Sequence, residues 1–287
     1  MGFNSIVCVK QVPDTANITS DAMTPEGTVN RSALPAIFNP EDLHALETAL
    51  EIRDRFGGTV TVVTMGPPKA ADVLRACLFR GADRAVLLTD RRAAASDTLA
   101  TSYILSQAVR TIGNYDFVFC GRQAIDGDTA QTGPQIAEKL GLPQVTYLEQ
   151  VLDVKDGAQK SARIRRSIGN GFEVVDVQLP ALVTVVETAN EPRPFAAKKV
   201  MRSKHAAVPA EVTPEKAEDL KAKGLLLEQW TLDDISADLN RCGLAGSPTK
   251  VYRVESIVLT KDGFTEIAPT EEGITGLIQE LINDRTL

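Results

Sequence analysis

The first 190 residues alternate short apolar runs with longer segments in which apolar side chains recur every three or four residues. Runs rich in β-branched residues predict buried strands, whereas the wider spacing predicts amphipathic helices. The predicted strands are residues 5–12, 59–65, 85–89, 117–120 and 182–186, and the predicted helices are residues 40–56, a segment ending near residue 80, 99–112 and 129–140. Strand–helix units repeated at this length predict an α/β fold, a doubly wound and mostly parallel sheet with helices on both faces.

The pattern changes twice further along the chain. Residues 149–178 alternate in polarity and are broken by Asp156-Gly157 and Asn170-Gly171, pairs that are typical of hairpin turns, so an antiparallel flap is expected there. After residue 190 the periodicity weakens and prolines interrupt a charged stretch. The sequence therefore predicts an α/β domain over 1–190 and, over 191–287, a loop and an extended arm with few core positions that wraps a partner.

Composition and motifs narrow the possible chemistry. A net charge of −7 argues against a general nucleic-acid binder, and no apolar run is long enough to suggest insertion into a membrane. The four cysteines stand singly, which is typical of buried, reduced thiols in a cytoplasmic protein rather than of a metal framework. No pattern for a nucleophile and its base is present, so no catalytic side chain is predicted. Any redox chemistry would belong to a cofactor.

The sharpest local signal is the loop between the predicted strand 117–120 and the predicted helix 129–140. Gly121 and Gly127 allow the backbone to approach a phosphate, and the helix N-terminus favours an anion. We therefore expect main-chain amides of this loop, with the hydroxyls of Thr129 and Thr132, to hold phosphate groups. A loop that caps the helix and binds no ligand is the alternative.

Other polar residues are expected around the same crevice. The two aspartates of the loop, Asp126 and Asp128, are predicted to cap the helix or to accept hydrogen bonds from a ribose. Lys10-Gln11, Asn39-Pro40 and Gly66-Pro67-Pro68 end or open neighbouring elements and are expected to face the crevice, although ordinary turn chemistry also explains each of them. Ser96-Asp97-Thr98 opens a helix, either as a plain cap or as a contact to a long cofactor.

These motifs resemble the electron-transfer flavoprotein β subunit over nearly the whole chain. The segments that carry the resemblance are VKQVPDT (9–15), NPEDLHALETAL (39–50), GADRAVLLTDR (81–91), SDTLATS (96–102), GRQAIDGDTAQTGPQIAEKLGLPQVTY (121–147), NEPRP (190–194) and CGLAGSPT (242–249). VKQVPDT, SDTLATS and CGLAGSPT are closest to the nitrogen-fixation and electron-bifurcating branch.

The resemblance implies a sheet of the adenine-nucleotide-binding type and a heterodimer with an α subunit that carries a further FAD. It implies FAD in the β-subunit pocket, or AMP as in the mitochondrial type, with NADH oxidation only where a bifurcating flavin is bound. It also implies electron relay between a dehydrogenase, such as acyl-CoA dehydrogenase, and a quinone reductase or ferredoxin. A non-redox regulatory protein that binds an adenine nucleotide is the alternative.

Site residues follow from the matched motifs. The resemblance implies cofactor contacts by Cys8, Lys10, Asn39, Asp42, Met65, Ser96, Asp97, Thr98, Cys120, Gly121, Arg122, Gln123, Ala124, Ile125, Asp126, Gly127, Asp128, Thr129, Gln131 and Thr132. It implies partner docking by Arg193, Phe195, Lys198, Lys199 and Met201. One departure concerns the cofactor: Ala95 stands where the bifurcating branch carries glycine, and its methyl group is expected to hinder the approach of a flavin.

Overall fold

The computed structural model describes residues 2–14, 35–249 and 266–284. The strands are β1 (Ser5–Cys8), β2 (Gln11–Pro13), β3 (Ala36–Phe38), β4 (Val60–Met65), β5 (Arg84–Leu88), β6 (Phe117–Gly121), β7 (Gln144–Lys155), β8 (Ser161–Ser167), β9 (Phe172–Gln178), β10 (Ala181–Val185) and β11 (Glu228–Trp230). The helices are α1 (Pro40–Phe56), α2 (Ala71–Arg80), α3 (Thr98–Ile112), α4 (Thr132–Leu140), α5 (Ala197–Ser203), α6 (Pro214–Ala222) and α7 (Glu271–Asn283).

Nine strands form one sheet in the order β11-β5-β4-β1-β6-β10-β7-β8-β9. The strands from β11 to β7 run parallel, and β8 and β9 continue the sheet as antiparallel neighbours. The chain moves from β1 to β4 and β5 on one side and then crosses to β6 on the other. The strand order thus reverses at β1, which is where α/β sheets bind their ligands. The predicted fold class is confirmed, including the antiparallel extension.

Helices cover both faces of the sheet because alternate strand residues point in opposite directions. On one face α1 packs against β6 and α2 against β4 and β5, around a core that includes Phe117 and Phe119. On the other face α3 and α4 pack against Val118 and Cys120 of the same strand. Such burial on both faces explains why the central strands read as continuous apolar runs in the sequence.

Two predicted boundaries were wrong, and both errors lie next to the crevice. The run predicted as one strand over 5–12 ends at Cys8, and β2 then pairs antiparallel with β3 as a separate ribbon. The helix predicted to begin at residue 129 begins at Thr132. Asp128 and Ala130 have φ values of 47° and 52°, which a right-handed helix does not accommodate. The segment 129–131 is therefore a loop that leads into the helix.

The described part of the segment after residue 191 adds a small number of buried residues to the core. Leu220, Leu232 and Ile235 are buried, and β11 extends the main sheet beside β5. A bidentate Arg84–Glu228 ion pair joins β11 to β5 at 2.6 and 2.7 Å. The apolar residues are spread over short, irregular pieces, so no helical or strand period reveals them in the sequence. Residues 250–265 and 285–287 of the predicted arm lie outside the described residues.

Among the described helices, no segment is long and apolar enough to cross a lipid bilayer.

Candidate functional site

The first turn of α1 holds the loop that follows β6. Asn39, Glu41 and Asp42 are buried, although each has a polar side chain. Asn39 donates to the carbonyl of Gln123 and accepts from the amide of Ile125, at 2.9 and 3.1 Å. Glu41 accepts from the amide of Gln123 at 2.8 Å. Buried polar groups need such partners, so the loop conformation is determined by side chains that lie more than 80 residues earlier in the sequence.

Asp42 links the carboxyl end of β1 to the carboxyl end of β6. Its carboxylate accepts from the main-chain amide of Lys10 at 2.8 Å and from that of Gly121 at 3.0 Å. Burial raises the pKa of Asp42 to about 7, although hydrogen bonds from Asn39, Lys10 and Gly121 oppose the rise. The carboxyl group that links Lys10 to Gly121 therefore has a pKa close to neutral pH.

Gly121 is required at its position by space rather than by backbone conformation. A Cβ atom there would lie 2.5 Å from Oδ1 of Asp42, 2.8 Å from the Asp42 main-chain nitrogen and 2.8 Å from the Glu41 carbonyl carbon. Gly127 in the same loop has nothing within 4 Å of the equivalent point. The sequence gives the same prediction for both glycines, but the fold distinguishes them. Of the two, only Gly121 allows the backbone to lie against the start of α1.

Most amides in the first part of the loop already have acceptors within the chain. The amides of Gly121, Gln123 and Ile125 bond to the α1 side chains. The Arg122 amide bonds to the carbonyl of Val185, and the amides of residues 127 and 128 bond to the carbonyl of Ala124. In the described part of the chain, the main-chain amides of residues 129–133 have no protein acceptor. The donors available to a ligand are thus concentrated at the start of α4.

These donors line a cavity at the carboxyl ends of β1 and β6. Its walls are Cys8, Val9, Lys10, Asp42, Val63, Met65, Thr101, Leu105, Cys120, Gly121, Arg122, Gln123, Thr129, Ala130, Gln131, Thr132 and Gly133. Thr132 and Gly133 occupy the first helical turn, where amides have no intrahelical partner and the helix dipole is positive. Left-handed Ala130 followed by right-handed Gln131 turns successive amides toward one side, a geometry that binds anions. The arrangement fits the phosphate of a nucleotide.

The acidic residues of the loop do not cap α4, contrary to that part of the prediction. Asp126 accepts two hydrogen bonds from Nζ of Lys10, at 2.7 and 2.9 Å. Asp128 accepts from the side-chain amide of Gln123 at 2.8 Å. The residue at the N-cap is Gln131, and its side chain makes no capping bond. Because Lys10 balances the charge of Asp126, that carboxylate opposes an incoming phosphate less than the sequence suggests.

The predicted contacts differ in where the structure places them. Cys8, Lys10, Asp42, Met65, Cys120 to Gln123, Thr129, Gln131 and Thr132 line the cavity. Asn39, Ala124, Ile125, Asp126, Gly127 and Asp128 do not line it, and of these Asn39, Ile125 and Asp126 support the loop or Lys10. Sequence reasoning missed Val9, Val63, Thr101, Leu105 and Gly133. Thr101 and Leu105 stand four residues apart on α3, so the spacing after Ser96-Asp97-Thr98 could have indicated a helix face turned toward the ligand.

A second cavity adjoins the first at Met65, which lines both. It is bounded by Met65, Gly66, Pro67, Pro68, Leu88, Thr89, Asp90, Arg91, Ala93 and Ala94. Ala95, at its edge, has a φ of 60°, a conformation that favours glycine. Met65 at the end of β4 therefore borders two cavities, one toward β1 and β6 and one toward the end of β5.

The segment 96–98 is engaged by the chain itself. Asp97 caps α3 through the amide of Ala100 and also accepts from the amide of Thr249 at 3.0 Å. The amide of Asp97 donates to the hydroxyl of Ser247, and the Ser96 hydroxyl accepts from the amide of Gly243. Of these three residues, Thr98 alone reaches toward the cavity, since its hydroxyl donates to the side chain of Gln131 at 2.9 Å.

The predicted docking residues lie on and before α5. Arg193 is bonded to Glu47 and Asp54 of α1, at 2.8 to 3.0 Å, so its charge is already matched within the chain. Phe195 is half exposed and packs edge-on against Phe79, with Arg80 4.3 Å above its ring. Met201 is 66% exposed. An apolar surface bordered by Lys198 and Lys199 thus remains available.

Comparison with known proteins places the chain in a family. The electron transfer flavoprotein domain matches residues 26–216. The electron transfer flavoprotein subunit beta of Clostridium acetobutylicum is 42% identical over 97% of this chain and 98% of its own length. Protein FixA of Azotobacter vinelandii is 50% identical over 67% of this chain and 68% of its own length, and the caffeyl-CoA reductase-Etf complex subunit CarD of Acetobacterium woodii is 43% identical over 86% of each. With a matching domain over more than half of its length and relatives aligned nearly from end to end, the chain belongs to the electron-transfer flavoprotein family, on the side of its β subunits.

Proposed function

We propose that the chain is the nucleotide-binding small subunit of an electron-transfer flavoprotein heterodimer and that its crevice binds FAD, with AMP as the competing ligand. One observation carries the proposal. The main-chain amides of residues 129–133 have no acceptor in the described chain, and they line a cavity at the point where the strand order reverses. Helix N-termini at that point of an α/β sheet are common phosphate sites.

Each wall of the cavity supplies a different interaction with the proposed cofactor. The amides and hydroxyls at the start of α4 would hold the phosphates, while Val63, Met65 and Leu105 exclude water from the adenine side. Lys10 and Asp126 neutralise each other at the mouth of the cavity. When bound, a flavin accepts and donates the electrons. The chain supplies binding, orientation and a defined charge environment.

The second cavity beside Met65 supports FAD over AMP. AMP would need only the first cavity, whereas a dinucleotide needs a continuation beyond Met65, which the second cavity provides. Ala95 opposes this choice, because its left-handed backbone and methyl group are at the edge of the second cavity. The numbers of flavin and AMP molecules bound per heterodimer distinguish FAD from AMP.

An α subunit is proposed as the permanent partner. The C-terminal helix α7 has no buried residue and exposes Ile274, Leu277, Ile278 and Ile282. These residues stand at helical spacing, so they form one apolar stripe along the helix. Exposing such a stripe to water is unfavourable. Phe172 and Val174 are also exposed, on β9, which is the last strand of the sheet within the described residues. Both features support burial against a second chain.

A dehydrogenase is proposed to dock at the surface formed by Phe195, Met201, Lys198 and Lys199. Aromatic and methionine side chains beside cations suit a transient contact with an acidic flavoprotein surface. The internal ion pairs of Arg193 support a role in holding this segment to α1 rather than in contacting the partner.

The test is to co-express the chain with its α subunit, purify the complex and identify the nucleotides released on denaturation. Two flavins per heterodimer would support FAD in the crevice. One flavin together with one AMP would support AMP. A complex that contains neither ligand in the crevice, and takes up neither when they are added, would contradict the proposal.

Replacing Thr132 by valine is expected to weaken adenylate binding about 3- to 10-fold. The change keeps the shape of the side chain and removes one hydroxyl donor, which contributes about 0.5–1.5 kcal/mol. The measurement is the Kd for AMP by isothermal titration calorimetry. Thr111→Val is the matched control, because that hydroxyl donates to the Gln107 carbonyl at the far end of α3. Equal AMP affinities in Thr132→Val and Thr111→Val would show that the Thr132 hydroxyl does not contact the ligand.

Replacing Ala95 by glycine is expected to raise the FAD content of the purified complex and to stabilise the chain by up to about 1 kcal/mol. The left-handed conformation costs an alanine about 1–2 kcal/mol, and the greater freedom of glycine in the unfolded chain offsets part of the gain. Absorbance of released flavin and denaturant titration measure the two effects. Ala196→Gly is the control, since Ala196 has a φ of −82° and lines neither cavity. Unchanged flavin content in Ala95→Gly would show that this methyl group does not limit binding.

A further inference from the structure

Two cysteines lie side by side on the floor of the first cavity. The β1–β6 pairing runs from Ser5↔Phe117 to Val7↔Phe119, so the next residues of the two strands, Cys8 and Cys120, stand opposite each other. Adjacent strands are about 4.8 Å apart, and residues in register point to the same face. Both side chains lie in the core cluster beneath α3 and α4 and line the cavity.

The two thiols influence each other. Interaction with the Cys8 thiol, together with burial, raises the pKa of the Cys120 thiol well above its usual value, so Cys120 stays protonated at neutral pH. The charged groups that line the same cavity are Asp42, which acts in the same direction, Lys10 at the mouth and Arg122. Cys8 is 9% exposed and Cys120 6% exposed, and the cavity is the side from which a small reagent can reach them.

The remaining two cysteines have no such arrangement. Cys77 is fully buried in the core on the opposite face of the sheet. Cys242 donates its S–H to the carbonyl of Asp238 at 3.2 Å. The chain therefore holds one pair of adjacent thiols and two separate ones, which serve as internal controls.

We propose that Cys8 and Cys120 form a vicinal dithiol site that binds soft, thiophilic electrophiles of the trivalent arsenical class. An arsenical oxide condenses with both thiols: two As–S bonds form, the As–O bonds break, and the oxygen leaves as water with the two thiol protons. Arsenic remains trivalent, so no oxidant or reductant is required. This inference goes beyond nucleotide binding, and it rests on strand register and burial alone.

The experiment strips the purified complex of bound nucleotide, titrates it with phenylarsine oxide and then counts free thiols in the β subunit after denaturation. We expect one arsenical per β subunit and the loss of two thiols, with alkylation and peptide mapping assigning both to Cys8 and Cys120. Cys8→Ser and Cys120→Ser should each weaken binding by about 100-fold or more, since a second bond made intramolecularly adds at least that factor. Cys77→Ser and Cys242→Ser should bind as the unmodified chain does.

Loss of label from Cys77 or Cys242, or unchanged affinity in Cys8→Ser, would overturn the inference. The mapping is made on the unmodified chain and therefore tests the dithiol site even if a variant folds poorly. Repeating the titration with saturating AMP separates the two proposals. Slower labelling is expected if adenylate covers the floor of the cavity, whereas unchanged dithiol labelling would support the cysteine site and contradict the placement of the nucleotide.

Discussion

Replacing Gly121 by alanine is expected to lower the free energy of unfolding by about 1–3 kcal/mol or more and to empty the nucleotide site. The added Cβ would lie 2.5 Å from a buried carboxylate oxygen and 2.8 Å from two backbone atoms of α1. Backbone atoms at the start of a helix do not move aside as a flexible side chain does, so the loop must separate from α1. That separation would displace the start of α4, which holds the unpaired amides.

Gly127→Ala is the matched control, because it makes the same change six residues later where nothing lies within 4 Å. Denaturant titration of the purified complexes gives the difference in unfolding free energy, and nucleotide release gives the occupancy of the site. We expect Gly127→Ala to match the unmodified chain in both measurements. If Gly121→Ala keeps full stability and full nucleotide content, the close contact between β6 and α1 has no role in forming the site.

Replacing Asp42 by asparagine is expected to destabilise the fold most at low pH and less as the pH rises. An asparagine offers one acceptor oxygen to two main-chain amides and places a donor against the other, a loss of about 1–3 kcal/mol. The folded-state pKa of Asp42, about 7, exceeds its usual value of 3.8. Between these values the folded chain keeps a proton that the unfolded chain releases, so the stability from this group is complete below about pH 4 and is lost as the pH approaches 7.

The measurement is the difference in unfolding free energy between the unmodified chain and Asp42→Asn at pH 4.5, 6 and 8. The difference should shrink steadily across this series. Asp156→Asn, in the exposed turn between β7 and β8, is the control and should show no difference at any pH, because asparagine suits that turn equally well. A difference that grows with pH would show that Asp42 is ionised in the folded chain throughout this range.

Local signals in the sequence were sufficient to predict the class of the fold and the loop that borders the candidate site. The β-branched runs and helical spacings of the first 190 residues predicted the parallel sheet, because propensity and burial act over a few residues at a time. The Asp-Gly and Asn-Gly pairs predicted the antiparallel strands β8 and β9 for the same reason. The glycine-rich segment from Gly121 to Thr132 marked the loop that borders the cavity.

The tertiary structure alone decided which groups in that loop are available to a ligand. The side chains of Asn39, Glu41 and Asp42 occupy amides of the loop from about 80 residues away, and Lys10 pairs with Asp126 across 116 residues. Within the described loop, residues 129–133 keep unpaired amides as a result. The adjacency of Cys8 and Cys120 has the same origin, since the register of β1 against β6 arises when the sheet forms and leaves no local pattern. Hydrogen bonds and strand pairings made over such separations depend on the assembled fold, and the sequence by itself could not reveal them.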